Sequence, residues 1–174
     1  IPYSATQILE LNPTTLTTQL VGSVYSASSK WFGGVLAPNG KIYCAPHQSA
    51  SQVLEFNPTT LTTQLVGSVY SGSQKFVGGV LGRNGKIYFA PYSYPQVIEF
   101  DSNSAIIKLI GSPDNNTSKW WGAVMATNGK IYCVPRNASR ILEIANISKP
   151  DIIGSDALIP SDLSTLATSN YNMY

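Results

Sequence analysis

The sequence predicts an all-β fold in which one four-stranded antiparallel unit is repeated along the chain, and three observations carry that prediction. Asn-Gly pairs recur at Asn39-Gly40, Asn84-Gly85 and Asn128-Gly129, a period of 44–45 residues. The segments "QILEL", "QVLEF", "QVIEF" and "RILEI" open at Gln7, Gln52, Gln96 and Arg140 with the same period. The run "NPTTLTTQLVGSVYS" stands identically at Asn12–Ser26 and Asn57–Ser71. Self-similarity at such a period marks either propeller blades or two-helix solenoid units.

Local chemistry separates those two. Each unit holds four short apolar or β-branched runs, "WFGGVLA", "KIYCAP", "QVLEF" and "TTQLVGS" in the first complete copy. Asn-Gly between the first two is a strong hairpin signal, here expected as a type I′ turn with positive φ at both central residues. A Pro-containing polar loop, Asn-Pro-Thr-Thr and a Ser/Gly/Tyr stretch divide the rest. Inside the array no segment sustains a helical period over about ten residues. Four antiparallel strands in each unit of this length make a β-propeller blade.

The innermost strand crowds the axis, so the runs with "GGV", "GGV" and "GAV" are expected there, at 32–37, 77–82 and 121–126. "KIYxxP" is then second, "QVLEF" third and "QLVGS" the outer edge. On this register residues 1–29 are strands three and four of a partial blade. Blades follow at 30–74, 75–118 and 119–155. Residues 156–174 form a cap or tail, with Ser161 as N-cap of a short helix. A ring of this kind needs about four complete blades to close. Further blades are therefore expected, from a longer chain or from other copies.

The pattern resembles the propeller-repeat superfamily, NHL-like with kelch and WD-like features. Gly34-Val35, then Gly40-Lys41-Ile42-Tyr43, then Gln52-Val53-Leu54-Glu55-Phe56 correspond to the NHL-like strand signatures. The resemblance implies propeller architecture and no particular activity.

Composition narrows the function classes. Charged residues make up 11% of the chain, against about 25% in a typical soluble domain. Ser, Thr, Asn and Gln must cover the surface, a balance that points to an extracellular, surface or particle-associated setting. The net charge is +2 with no Lys/Arg cluster, so nucleic acid is not an expected partner. No apolar run has the ~20 residues of a membrane span. Sequons stand at Asn115, Asn116, Asn137 and Asn146.

Catalytic and metal constellations are missing from the pattern. There is one histidine, His47, and no Cys/His cluster, so neither a metal nor another cofactor is implied. Cys44 and Cys133 share a repeat position with Phe89, which marks it as apolar packing. Glu10, Glu55, Glu99 and Glu143 share a third-strand position. They are expected to pair with Lys41, Lys86 and Lys130 of "GKIY" or with a Tyr hydroxyl.

Topology brings the strand entrance and the second-to-third-strand loop to one face. Lys30-Trp31, Lys75-Phe76 and Lys119-Trp120 are expected to ring the channel mouth, beside loops carrying His47, Tyr92, Tyr94 and Arg136. These ten residues are the candidate ligand contacts, since aromatic faces can stack on sugars or anchor partners. The reading that follows is a non-catalytic module that recognises a protein or glycan through this face. A structural surface, matrix or virion component is the first alternative. The C-terminal part of a lactonase-like propeller hydrolase is the second.

Overall fold

The computed structural model describes residues 1–111 and 115–145, and they form an all-β array. In chain order the strands are β1 (Ile8–Asn12), β2 (Thr17–Val21), β3 (Trp31–Leu36), β4 (Ile42–Pro46), β5 (Val53–Asn57), β6 (Thr62–Val66), β7 (Phe76–Leu81), β8 (Ile87–Pro91), β9 (Val97–Asp101), β10 (Ile106–Ile110), β11 (Trp120–Met125), β12 (Ile131–Pro135) and β13 (Leu142–Ile144). They make sheets β1-β2, β3-β4-β5-β6, β7-β8-β9-β10 and β11-β12-β13, antiparallel throughout. The expected strand order within a blade is therefore observed. The fourth strand expected in the last blade, the cap at 156–174 and Asn146 lie outside the described residues.

Two local expectations are corrected. The first strands begin one residue earlier than expected, because Trp31, Phe76 and Trp120 already pair with Pro46, Pro91 and Pro135. The Asn-Gly turns are not type I′. Only the glycines have positive φ (Gly40 at 79°), and Gly40 N–H closes on the Ala37 carbonyl at 3.0 Å. That is a β-turn over Ala37–Gly40 ending in a left-handed glycine, a three-residue loop in which Pro38 with its fixed φ suits the first central position.

The glycine doublets have a second duty besides fitting the axis. Register shifts between Phe32 and Val35, so two residues of β3 oppose one of β4. Gly33 supplies the positive φ this bulge requires, at 68°, and Gly78 and Gly122 repeat it at 63° and 82°. At Gly33 the backbones of neighbouring inner strands meet. A β-carbon there would sit 2.9 Å from the Gly78 Cα.

Three apolar clusters lie between successive blades. Ile8 and Val21 meet Leu54 and Phe56, Tyr43 and Val53 meet Ile98 and Phe100, and Tyr88 and Val97 meet Leu142 and Ile144. Cys44 and Cys133 are free and fully buried in two of these layers, and burial pushes both thiols up to about 12.

The Glu–Lys–Tyr ladder forms at Glu55, Glu99 and Glu143, while Glu10 instead receives the Gln19 side-chain amide at 2.7 Å. Lys41, Lys86 and Lys130 each reach their glutamate, Glu55, Glu99 and Glu143, at 2.7 Å. Tyr43 and Tyr88 donate to Glu55 and Glu99 at 3.0 and 2.9 Å. Burial above all, with the Glu55 bond and charge behind it, pushes the Tyr43 hydroxyl up to about 12.

Candidate functional site

The lysines and aromatics at the strand entrances are not on the rim. Lys30, Lys75 and Lys119 are buried, at 2%, 2% and 0% exposure, as are Trp31, Phe76 and Trp120. A buried ammonium must have every proton satisfied. Lys75 Nζ donates to the carbonyls of Gln48 (2.9 Å) in the preceding blade's loop and Gly72 (2.7 Å) in its own link. Lys30 does the same with Ala5 and Ala27, and Lys119 reaches the Tyr94 carbonyl at 2.8 Å. Burial lowers the pKa of Lys30 and Lys75. Each lysine thus clamps one blade to the next. The placement expected at the channel mouth is corrected for all six residues.

The adjacent aromatics pack in the layers between blades, each within the cluster it shares with the preceding one. Trp31 and Trp120 donate their indole N–H to the carbonyls of Gln52 and Arg140, at 2.9 and 3.0 Å. Phe76 instead packs on Tyr94 (4.9 Å) and Tyr70 (5.6 Å). Tyr94 is therefore a blade-packing residue too.

His47, Tyr92 and Arg136 come together. Each directly follows the proline that ends a second strand, and Tyr3 follows Pro2 in the same register. The lysine backbone sets them in a row. Lys75 N–H donates to the His47 carbonyl (3.0 Å), and its own carbonyl receives the Tyr92 N–H (2.9 Å). Lys30 joins Tyr3 to His47 in this way, and Lys119 joins Tyr92 to Arg136. Ser29, Gln74 and Ser118, just before these lysines, adopt positive φ of 53°, 51° and 55°.

The resulting axial cluster is aromatic with one base and one cation, and His47 and Tyr92 are themselves buried in it, at 4% and 3% exposure. His47 lies 5.8 Å from Tyr3, 5.9 Å from Phe32 and 5.9 Å from Tyr92, ring centre to ring centre. Phe32 reaches Trp121 at 5.0 Å, and Trp121 reaches Tyr92 at 5.4 Å. The Arg136 guanidinium sits 5.2 Å from the Tyr92 ring and 5.1 Å from Trp121. Trp121 and Tyr3 remain exposed, at 44% and 39%.

His47 has a defined chemistry. Its Nδ1 is 3.0 Å from the Phe76 carbonyl, which can only accept, so Nδ1 carries the proton and Nε2 keeps its lone pair. Burial lowers its pKa from the ordinary 6.5, and the Lys75 charge adds to that while the Phe76 bond opposes it. The imidazole is neutral at physiological pH, a state suited to a general base. Among the described residues no group of three His, Cys, Asp or Glu could hold a metal ion.

Tyr3, Phe32 and Trp121 were missed by reading the sequence. Alternate residues on a strand face opposite ways, so the second residue of "WF" and "WW" reaches the mouth, not the first. The post-proline register was the available signal for Tyr3. Asn115, Asn116 and Asn137 are exposed.

The fold and this axial mouth define a β-propeller segment. No protein-family model matches the chain, and no curated protein matches it in sequence. Among solved structures it is similar to virginiamycin B lyase from Staphylococcus aureus, with a TM-score of 0.69, 10% identity, and coverage of 83% of this chain and 47% of the lyase. A catalytically inactive histidine-to-alanine form of that lyase with quinupristin is also similar, with a TM-score of 0.56 at 18% identity over 69% of this chain and 39% of that one. An auxiliary nutrient-binding protein from Bacteroides thetaiotaomicron matches with a TM-score of 0.53 at 15% identity, over 81% of this chain and 38% of that one. The chain thus spans less than half the length of these proteins. The likeness is one of fold, to enzymes and binding proteins alike.

The expectation of a non-catalytic protein- or glycan-recognising scaffold is corrected by the lyase. The fold shared over most of the chain is there the fold of an enzyme. Absence of a familiar catalytic motif in a propeller sequence is thus no ground for a passive role.

Proposed function

We propose that the chain is a section of a propeller enzyme that acts on a small ring-bearing substrate at the axial mouth, with His47 as its base. The observation that carries this reading is the neutral His47 ring, fixed through Nδ1 and surrounded by Tyr3, Phe32 and Tyr92. The aromatic faces would hold the substrate ring by stacking. Arg136 would pair with a carboxylate, or with the oxyanion that develops when His47 takes a proton. A similar fold in a lyase that is inactivated by loss of a histidine supports the reading. Further blades of the same type would complete the ring.

Tyr3, Phe32, His47, Tyr92, Trp121 and Arg136 all belong to this chain, so binding is expected from the chain itself. The test incubates it with quinupristin and a panel of aromatic esters and follows each compound by chromatography and mass spectrometry. Turnover that falls by roughly 100-fold or more in His47→Ala, with Arg136→Ala raising KM, is the expected result. Binding without turnover would leave a ligand-binding propeller. No binding of any panel member would remove the reading.

A further inference from the structure

The two seams of the blade at 30–74 are packed differently at one point. At the seam with the following blade, Tyr94 lays its ring on Phe76 and Tyr70, at 4.9 and 5.5 Å between ring centres, and Tyr70 is buried. At the seam with the preceding blade, the equivalents of Tyr70, Phe76 and Tyr94 are Tyr25, Trp31 and Ala50. Trp31 meets Tyr25 edge-on at 4.8 Å and takes up part of the space. The rest stays open, as a cavity of about 340 Å³ bounded by Tyr25, Ala27, Lys30, Trp31, Ser51 and Leu65, with Ala50 on its wall. Tyr25 is accordingly only half-buried.

The walls of this cavity are fixed. The Tyr25 hydroxyl donates to Thr63 Oγ1 across the seam at 3.2 Å, and its N–H donates to the Thr6 carbonyl at 2.8 Å. Trp31 is held by its indole bond to the Gln52 carbonyl, and the Ser51 carbonyl accepts the Tyr70 N–H at 2.8 Å. Lys30 commits two of its three ammonium protons to the carbonyls of Ala5 and Ala27. The third is left for an oxygen acceptor. A cavity of this size suits a small molecule, and two aromatic walls select a ring. The groups bounding it stand on the link 22–30, the loop 47–52 and β6, and each of these recurs in the next blade.

We propose that this seam cavity is a binding site for a small phenol, whose ring takes the place that the Tyr94 ring takes one blade further on. The ring lies against Tyr25 and Trp31, over Ala50, and its hydroxyl oxygen receives the remaining Lys30 proton. The neighbouring seam supplies the template, since the group that closes it is itself a phenol held between two aromatic rings. The proposal is independent of the catalytic reading above, which concerns the axial cluster.

The test adds p-cresol, the tyrosine side chain without its backbone, to the ¹⁵N-labelled chain. The Trp31 indole and the Tyr25, Ala27 and Ser51 amides should shift together and saturate, with a dissociation constant on the order of 1 mM. The Trp121 indole reports separately on any binding at the axial cluster. Cyclohexanol should bind at the seam roughly 3–10-fold more weakly for want of an aromatic face. Toluene should bind there roughly tenfold more weakly for want of the hydroxyl. Trp31→Phe together with Ala50→Tyr repeats the Phe76–Tyr94 pair in this seam and should abolish the response of the three amides. The two analogues are compared on the unaltered chain, so they decide the matter even where the double variant fails to fold. No saturable shift, equal affinity for either analogue, or a response that survives the double variant would overturn the proposal.

Discussion

Gly33→Ala is expected to destabilise the array by roughly 2–5 kcal/mol, combining the left-handed penalty with overpacking. The new β-carbon would meet the Gly78 Cα at 2.9 Å, and that atom is backbone, which has no rotamer to yield. The effect should be read against Gly40→Ala. Gly40 has a φ of 79° with nothing within 4 Å of a β-carbon. Only the conformational penalty applies there, about 1–2 kcal/mol. Thermal or urea unfolding of the two variants separates axial crowding from turn geometry. Equal losses would show that the inner strands do not touch at Gly33.

A second large effect comes from exchanging the packing solution of one blade for that of its neighbours. The third blade combines Phe76 with Tyr94, while the flanking blades combine Trp31 with Ala50 and Trp120 with Ala138 at the same positions. A bulky entrance residue thus accompanies a small loop residue, and the reverse. Tyr94→Ala alone should cost roughly 2–3 kcal/mol, because it opens a cavity against Phe76 and Tyr70. Phe76→Trp alone should cost about 1–3 kcal/mol by overpacking. The double variant should be more stable than the sum of its parts by about 1–3 kcal/mol, since the indole takes the space the phenol leaves. Strict additivity would mean that the two positions do not share one site.

The architecture was largely legible in the sequence because its signals are local and repeated. Strand order follows from turn residues and alternation. The Glu–Lys–Tyr ladder follows from three residue types at fixed offsets on adjacent strands. The binding face was only half legible. Lysine ordinarily keeps its ammonium in water, so burial of Lys30, Lys75 and Lys119 against carbonyls goes against residue preference. Those carbonyls belong to loops of the preceding blade, about 25 residues away in the chain at Lys30 and Lys119. His47, Tyr92 and Arg136 were visible as variation among loops. Their convergence with Phe32 and Trp121 depends on the bulge at Gly33 and on the approach of three inner strands, and no window of sequence contains that.

His47 sits in the axial cluster as a neutral imidazole with its proton on Nδ1 and its lone pair on Nε2. His47 is the one histidine of the chain, so ¹⁵N-resolved NMR of histidine-labelled protein reports on it alone across a pH titration. The expected result is the Nδ1–H tautomer at neutral pH and a midpoint below 6.5, the ordinary value, because burial and the Lys75 charge disfavour the cation. A midpoint at or above 6.5, or a proton resident on Nε2, would contradict it.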